Sequence, residues 1–270
     1  MINFEQYLAE RSIPGKPSDI QRRIVEDRAE LEDMIKNKVS LKDLDVSNVT
    51  DMSNLFKQKS DFDIKDIETW DFSGVLIMDS MFWGCDDLIS VRLYGLSDVV
   101  SMENCFSWCS NLETVELYNT NKVKNLSYTF SHCRKLKKVN MPNMESVYDM
   151  YRTFQYCESL KSMYVNSTNL YRIWDCFRGC AKLKNVTFSD TSNLNNGENC
   201  FSGCVKLEQV DMPFPKNAKA LTRMFYECKM LLQDFSKWNV DGIKHEGMFD
   251  KATKMIKSPV NYFPAEYQKK

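Results

Sequence analysis

The sequence predicts an α/β solenoid of about nine units of about 24 residues, in which short parallel strands stack on one face and short helices on the other. Three observations carry this. Phenylalanine recurs at Phe56, Phe82, Phe106, Phe130, Phe154, Phe177, Phe201, Phe225 and Phe249, with gaps of 26, 24, 24, 24, 23, 24, 24 and 24 residues. A fixed period in this range is the mark of a stacked-repeat chain. A cysteine stands three residues after most of these phenylalanines and a leucine three further on, as in Phe106, Cys109 and Leu112, so apolar steps of three and four suggest a helical face. The run then changes to alternation, as in Leu112, Val115 and Leu117, which suggests a strand. One such unit cannot bury its apolar side alone, so neighbours must stack.

Taken in order, Met1 to Ser12 suggests a short helix broken by Pro14, Gly15 and Pro17. Ser18 and Gln21 have the spacing of a capping box, and Ile20, Ile24, Leu31 and Ile35 then fall on one face of a helix running to about Asn37. Residues 1–40 are therefore expected to form an N-terminal helical cap, because a stack of repeats exposes its core at each end. The solenoid is expected over 41–256. Its first unit is atypical, with Lys57, Gln58 and Lys59 after the phenylalanine, and the regular part runs from Val75 to Met212. Pro213 and Pro215 follow a strand, where a lost amide donor is tolerated. After Phe225 the strand pattern gives way to Gln233-Asp-Phe-Ser-Lys-Trp238, and 257–270 has the character of a tail or partial C-terminal cover.

The run L-x-x-V-x-L fits the signature of a leucine-rich repeat. The stretch from Leu44 to Phe56, the x-M-F-x-x-C pattern at Met81, Phe82 and Cys85, and the links at Trp70 and Trp238 resemble the BspA-like leucine-rich repeats. That family occurs in bacterial surface proteins, some protists and some phage genomes. The resemblance covers about Leu44 to Met255. It implies a leucine-rich-repeat solenoid and a role in adhesion or protein binding, and it brings no catalytic residue set. The chain departs from surface members in showing no export signal, and its last units lose the methionine and cysteine at Gly197, His245 and Ala252.

Composition narrows the function classes. With 36 basic and 37 acidic residues the net charge is -1, which argues against nucleic acid or an anionic membrane as the main partner. No run approaches the length of a membrane span, and the first residues include Glu5 and Glu10 with no apolar core of a signal peptide. A cytoplasmic or particle-associated protein is the expectation. The ten cysteines occupy two repeat columns, as expected of a buried thiol ladder. With only His132 and His245 available, no structural zinc set is completed, so neither metal nor cofactor is expected. Phosphate-binding glycine loops, zinc-protease motifs and nucleophile elbows are absent. His132 beside Cys133 is the one place where a thiolate pair could be imagined, in a column that accepts any residue type, so no catalytic residue is assigned.

What varies along the repeat is expected to carry specificity. If the strands line a concave face, the residues between their buried positions point into it. That column contains Arg92, Glu116, Asn140 and Tyr164, and two positions on stand Tyr94 and Tyr118. Tyrosine and arginine dominate protein interfaces, so these six residues are the expected partner-binding patch. Trp83, Trp108 and Tyr156 form the rival patch on the opposite side. The leading expectation is a non-enzymatic protein-binding scaffold of unknown partner. The alternative is a structural or docking component of a larger assembly such as a phage particle, that is, a virion component. A hydrolytic enzyme is the third reading, with no motif to support it.

Overall fold

The computed structural model describes residues 22–257 and 263–265. The chain coils into a stack of parallel turns. Strand β1 (Arg23–Ile24) pairs with β2 (Leu44–Asp45), and helix α1 (Arg28–Lys36) lies between them in sequence. Helix α2 (Ile64–Ile67) stands in the first unit where later units have a strand. Then come β3 (Ser90–Leu93), β4 (Thr114–Leu117) and β5 (Lys138–Asn140), which form one parallel sheet. A second parallel sheet is built from β6 (Ser162–Val165), β7 (Asn185–Phe188) and β8 (Gln209–Asp211). Helix α3 (Thr253–Ile256) follows the last phenylalanine.

The strands are as the alternation predicts. Val91, Leu93, Val115 and Leu117 are buried, and the register pairs each with its equivalent, Val91 with Val115 and Leu93 with Leu117. Behind them the nine phenylalanines form one continuous stack. From Phe56 to Phe249, successive rings lie 5.3–5.7 Å apart and within 11° of parallel. All nine are fully buried.

The arm around each phenylalanine is not the expected short helix. The residues two before and two after each phenylalanine have positive φ in every unit, for example Asn104 (55°) and Trp108 (64°), or Arg152 (54°) and Tyr156 (57°). Such alternation forbids the successive four-residue bonds of an α-helix. Instead Cys105, Ser107 and Cys109 donate to the carbonyls three residues back, while the amides of Met102, Asn104, Phe106 and Trp108 donate to the next unit at 2.8–3.0 Å. A chain of three-residue turns buries the same positions as a helix would, which is why apolar spacing alone suggested one. These rungs tie consecutive units on the arm side as the ladder ties them on the strand side. The difference in width between the two sides is therefore smaller than helices would produce.

The cysteine column has a second reason besides burial. Cys109 Sγ donates to the Phe82 carbonyl, Cys133 Sγ to Phe106 and Cys157 Sγ to Phe130, each at 3.0 Å. A thiol is small and apolar enough for the core and still gives a second donor to a carbonyl that already accepts the amide three residues on. All ten cysteines are free and buried.

At the N-terminal end the expected start of the helix is displaced. Ser18, Gln21 and Ile20 lie outside the described residues, as does the segment Met1 to Ser12. Among the described residues, β1 occupies part of the stretch read as helix, and Ile24 is exposed. Asp27 caps the helix: its carboxylate accepts from the Glu30 amide at 2.9 Å, and Glu30 in turn accepts from the Glu26 amide at 2.7 Å. Leu31 and Met34 from this helix join the core of the first unit.

The sheet edges are closed by side chains. At the first edge, Glu68 Oε1 accepts from the Arg92 amide at 2.9 Å. At the last, Gln233 accepts from the Val210 amide and donates to the Val210 carbonyl, both at 2.8 Å, so one side-chain amide takes the place of a ninth strand. Of the C-terminal tail, only 257 and 263–265 are described, with Phe263 packed edge-on against Phe249 at 5.3 Å.

Candidate protein-binding face

The strand register sets Arg92 of β3 directly beside Glu116 of β4, and Glu116 beside Asn140 of β5. Arg92 Nε meets Glu116 Oε2 at 2.7 Å, and the Tyr118 hydroxyl donates to the same oxygen at 3.2 Å. The hydrogen bond and charge of Glu116 raise the Arg92 pKa further above its usual value. Next to this pair the rings of Tyr94 and Tyr118 stack 4.9 Å apart and within 5° of parallel. Arg92 is exposed, and Tyr94, Glu116, Tyr118 and Asn140 are half-buried. An exposed ion pair of this kind adds little stability, about 0–1 kcal/mol. Its effect is to hold two long side chains in one arrangement.

Tyr164 does not join this cluster. It is 49% exposed and sits on β6, in the second sheet, across the interruption between β5 and β6. The structure thus brings together Arg92, Tyr94, Glu116 and Tyr118, places Asn140 at their border, and sets Tyr164 apart.

The rival aromatic patch is also partly assembled. Trp108 stacks on His132 at 4.0 Å, and His132 meets Tyr156 at 5.0 Å, while Trp83 pairs with Lys57 Nζ at 5.1 Å instead. All stand at or beside the positive-φ position after the phenylalanine. His132 is half-buried, and burial with nearby Arg134 and Arg152 lowers its pKa. Its Nδ1 lies 2.9 Å from Ser131 Oγ, while the Cys133 thiol is engaged by the Phe106 carbonyl. The two side chains therefore do not form a nucleophile–base pair.

Two further aromatic groups escaped the sequence reading. Tyr148 and Tyr171 are exposed and stack at 4.8 Å. Tyr151 lies between Arg152 and Arg172, 4.9 and 4.8 Å from its ring, and contacts Trp174 at 5.2 Å. Both arginines are paired, Arg152 with Asp175 and Arg172 with Asp149. Reading the columns six and three residues before the phenylalanine would have found both groups.

A family model described as "Mycoplasma protein of unknown function, DUF285" matches residues 25–114 and 87–185. The BspA type leucine-rich repeat region, in six copies, matches 150–259. This chain belongs to that Mycoplasma family of unknown function, and its later part carries BspA-type leucine-rich repeats. Two solved structures of leucine-rich-repeat proteins are similar to this BspA-like chain. One, from T. pallidum, has 23% identity over 58% of this chain and 72% of that one, with a TM-score of 0.48. The other, from Bacteroides ovatus, has 18% identity over 71% of this chain and 60% of that one, with a TM-score of 0.42. No curated protein matches. Among the described residues no helix is long and apolar enough to cross a membrane.

Proposed function

We propose that this BspA-like chain is a non-enzymatic scaffold that binds a protein partner on its strand face, through Arg92, Tyr94, Glu116 and Tyr118, with Asn140 and Tyr164 at the margin. The observation that supports it most is the prior assembly of the patch. The stacked tyrosines and the Arg92–Glu116 pair are already fixed across two units, so little side-chain entropy is lost on docking. The residue types are those that dominate interfaces. In this reading 1–40 covers the N-terminal end of the stack, 41–256 presents the binding face and 257–270 lies beyond it.

The test compares two triple variants as bait in capture from the native source. One carries Tyr94→Ala, Tyr118→Ala and Tyr164→Ala, the other Trp83→Ala, Trp108→Ala and Tyr156→Ala. The first is expected to lose its partner and the second to keep it, a hot-spot truncation weakening binding by about 2 kcal/mol or more. A folded first variant that retains every partner overturns the assignment.

A further inference from the structure

The strand face has one interruption and one charge asymmetry, and they coincide. At regular steps the first rung of the ladder is a backbone bond such as Lys137 N to Glu113 O or Lys184 N to Lys161 O, each 2.8 Å. The corresponding bond from Lys161 to Lys137 is missing, and no ladder joins β5 to β6. The period is not the reason: Lys138 and Ser162 are the regular 24 residues apart, and the unit that is one residue short, Phe154 to Phe177, loses it after β6, where β6 still pairs with β7.

Asn166 holds the two lips together at one end, donating to the Pro142 carbonyl at 2.8 Å and accepting from the Met144 amide at 3.1 Å. The Ser159 amide closes the other end on the Arg134 carbonyl at 3.1 Å. Between them is a cleft of about 340 Å³ with Lys138, Asn140, Ser162 and Tyr164 on its walls. The side-chain donors of Lys138, Asn140 and Ser162 have no hydrogen-bond or ion-pair partner among the described residues.

The rim where the strands start is basic on both sides of this cleft. Lys135, Lys138, Lys161, Lys182 and Lys206 are exposed and unpaired among the described residues. From β4 onward the acids on the same rim are already engaged, Glu113 by Lys137, Glu158 by Arg134 and Glu208 by Lys184. On a chain whose net charge is -1, this rim is a local positive field.

We infer that the cleft and its lysine rim receive an acidic, extended polypeptide segment, with one carboxylate side chain anchored by Ser162, Asn140 and Lys138. An ionised carboxylate is acceptor-only, and the cleft offers donors of three kinds converging on one small space. The lysines on either side steer and hold further acidic residues. A single-stranded nucleic acid would need successive ring platforms, and the cleft wall supplies one ring, Tyr164. The inference rests on the reading of the strand face as a protein-binding surface and names the chemistry of the segment bound there.

The test titrates a capped peptide of alternating Glu and Ser into the full chain, beside its Gln-for-Glu analogue, a heparin-derived oligosaccharide and a single-stranded oligonucleotide. The Glu peptide is expected to bind about tenfold or more tightly than the Gln analogue, and to weaken steeply between about 50 and 300 mM salt. The variant with Ser162→Ala and Asn140→Ala keeps the net charge and is expected to bind several-fold more weakly. Lys161→Gln with Lys182→Gln, at exposed positions, is expected to weaken binding without shifting the melting temperature. Equal affinity for the Glu and Gln peptides overturns the inference. So does tighter binding of the oligosaccharide or the oligonucleotide, and so does an unchanged affinity in the Ser162/Asn140 variant. The Tyr94/Tyr118/Tyr164 bait separates this from the broader reading. If that bait retains its partners while the Glu peptide still binds, the tyrosine patch is wrong and the cleft stands; if it loses them while the peptide fails to bind, only the cleft is wrong.

Discussion

Phe130 is held between Phe106 at 5.7 Å and Phe154 at 5.3 Å, with no solvent exposure. Truncating it removes ring contacts in two directions and leaves a void that rigid rungs on both sides cannot close. Phe130→Ala should cost about 3–5 kcal/mol in urea unfolding. At the same scale, the positive-φ column gives a contrast that packing does not. Ser80 has φ 56° and its side chain makes no hydrogen bond among the described residues, so glycine fits its backbone and a β-branched residue does not. Ser80→Val is expected to lose about 1–2 kcal/mol, and Ser80→Gly to be neutral or mildly stabilising, by the same measurement. Gly179 is a stricter case. Its φ is 74°, and a Cβ there would come 2.5 Å from the Tyr156 ring that leans over it.

At the scale of elements, the strands were legible and the arms were not. Alternation at Val115 and Leu117 has one structural meaning, because only an extended chain buries every second residue. Steps of three and four, as in Met102, Phe106 and Cys109, are shared by helices and by overlapping turns. The discriminating signal was available in the residues two before and two after the phenylalanine, where Asn54, Asn104, Asn199, Gly84, Gly179 and Gly203 recur. Asparagine and glycine are the types that tolerate the left-handed region best. Of the candidate patch, the Arg92–Glu116 adjacency followed from the period, while the separation of Tyr164 did not, because Asn140 and Tyr164 keep the regular spacing of 24 across a step where no ladder forms. The sheet edge offers a prediction of its own. Gln233 makes two bonds to β8, so Gln233→Ala should lower stability by about 1–2 kcal/mol. It also exposes a strand edge, and sedimentation should show increased self-association.

At the scale of the whole molecule, the buried thiols make the stack sensitive to alkali. Burial raises the Cys85 thiol from about 9 to about 11, and pushes Cys109, Cys133 and Cys228 up as well. The folded values lie above the unfolded one, so the unfolded chain releases these protons first. Stability from this source is complete below about pH 9 and is lost as pH rises through the folded values, by about 1.4 kcal/mol per pH unit for each thiol in that window. The urea midpoint should be level from pH 7 to 9 and fall above it, and Cys85→Ala should reduce the slope between 9 and 11.

The step from β5 to β6 differs between the two sides of the molecule. The rings of Phe130 and Phe154 stack across it at 5.3 Å and the bridge from Asn125 to Asp149 continues, while the strand ladder does not. At the other steps from β3 to β8 the strand side carries a continuous ladder; here it is tied only at its two ends, by Ser159 to Arg134 and by Asn166 to Pro142 and Met144. The strand face is therefore two plates meeting at a joint whose axis runs along the arm. A ligand confined to β3–β5 leaves the angle of that joint unread, and one reaching from Tyr118 to Tyr164 must match it.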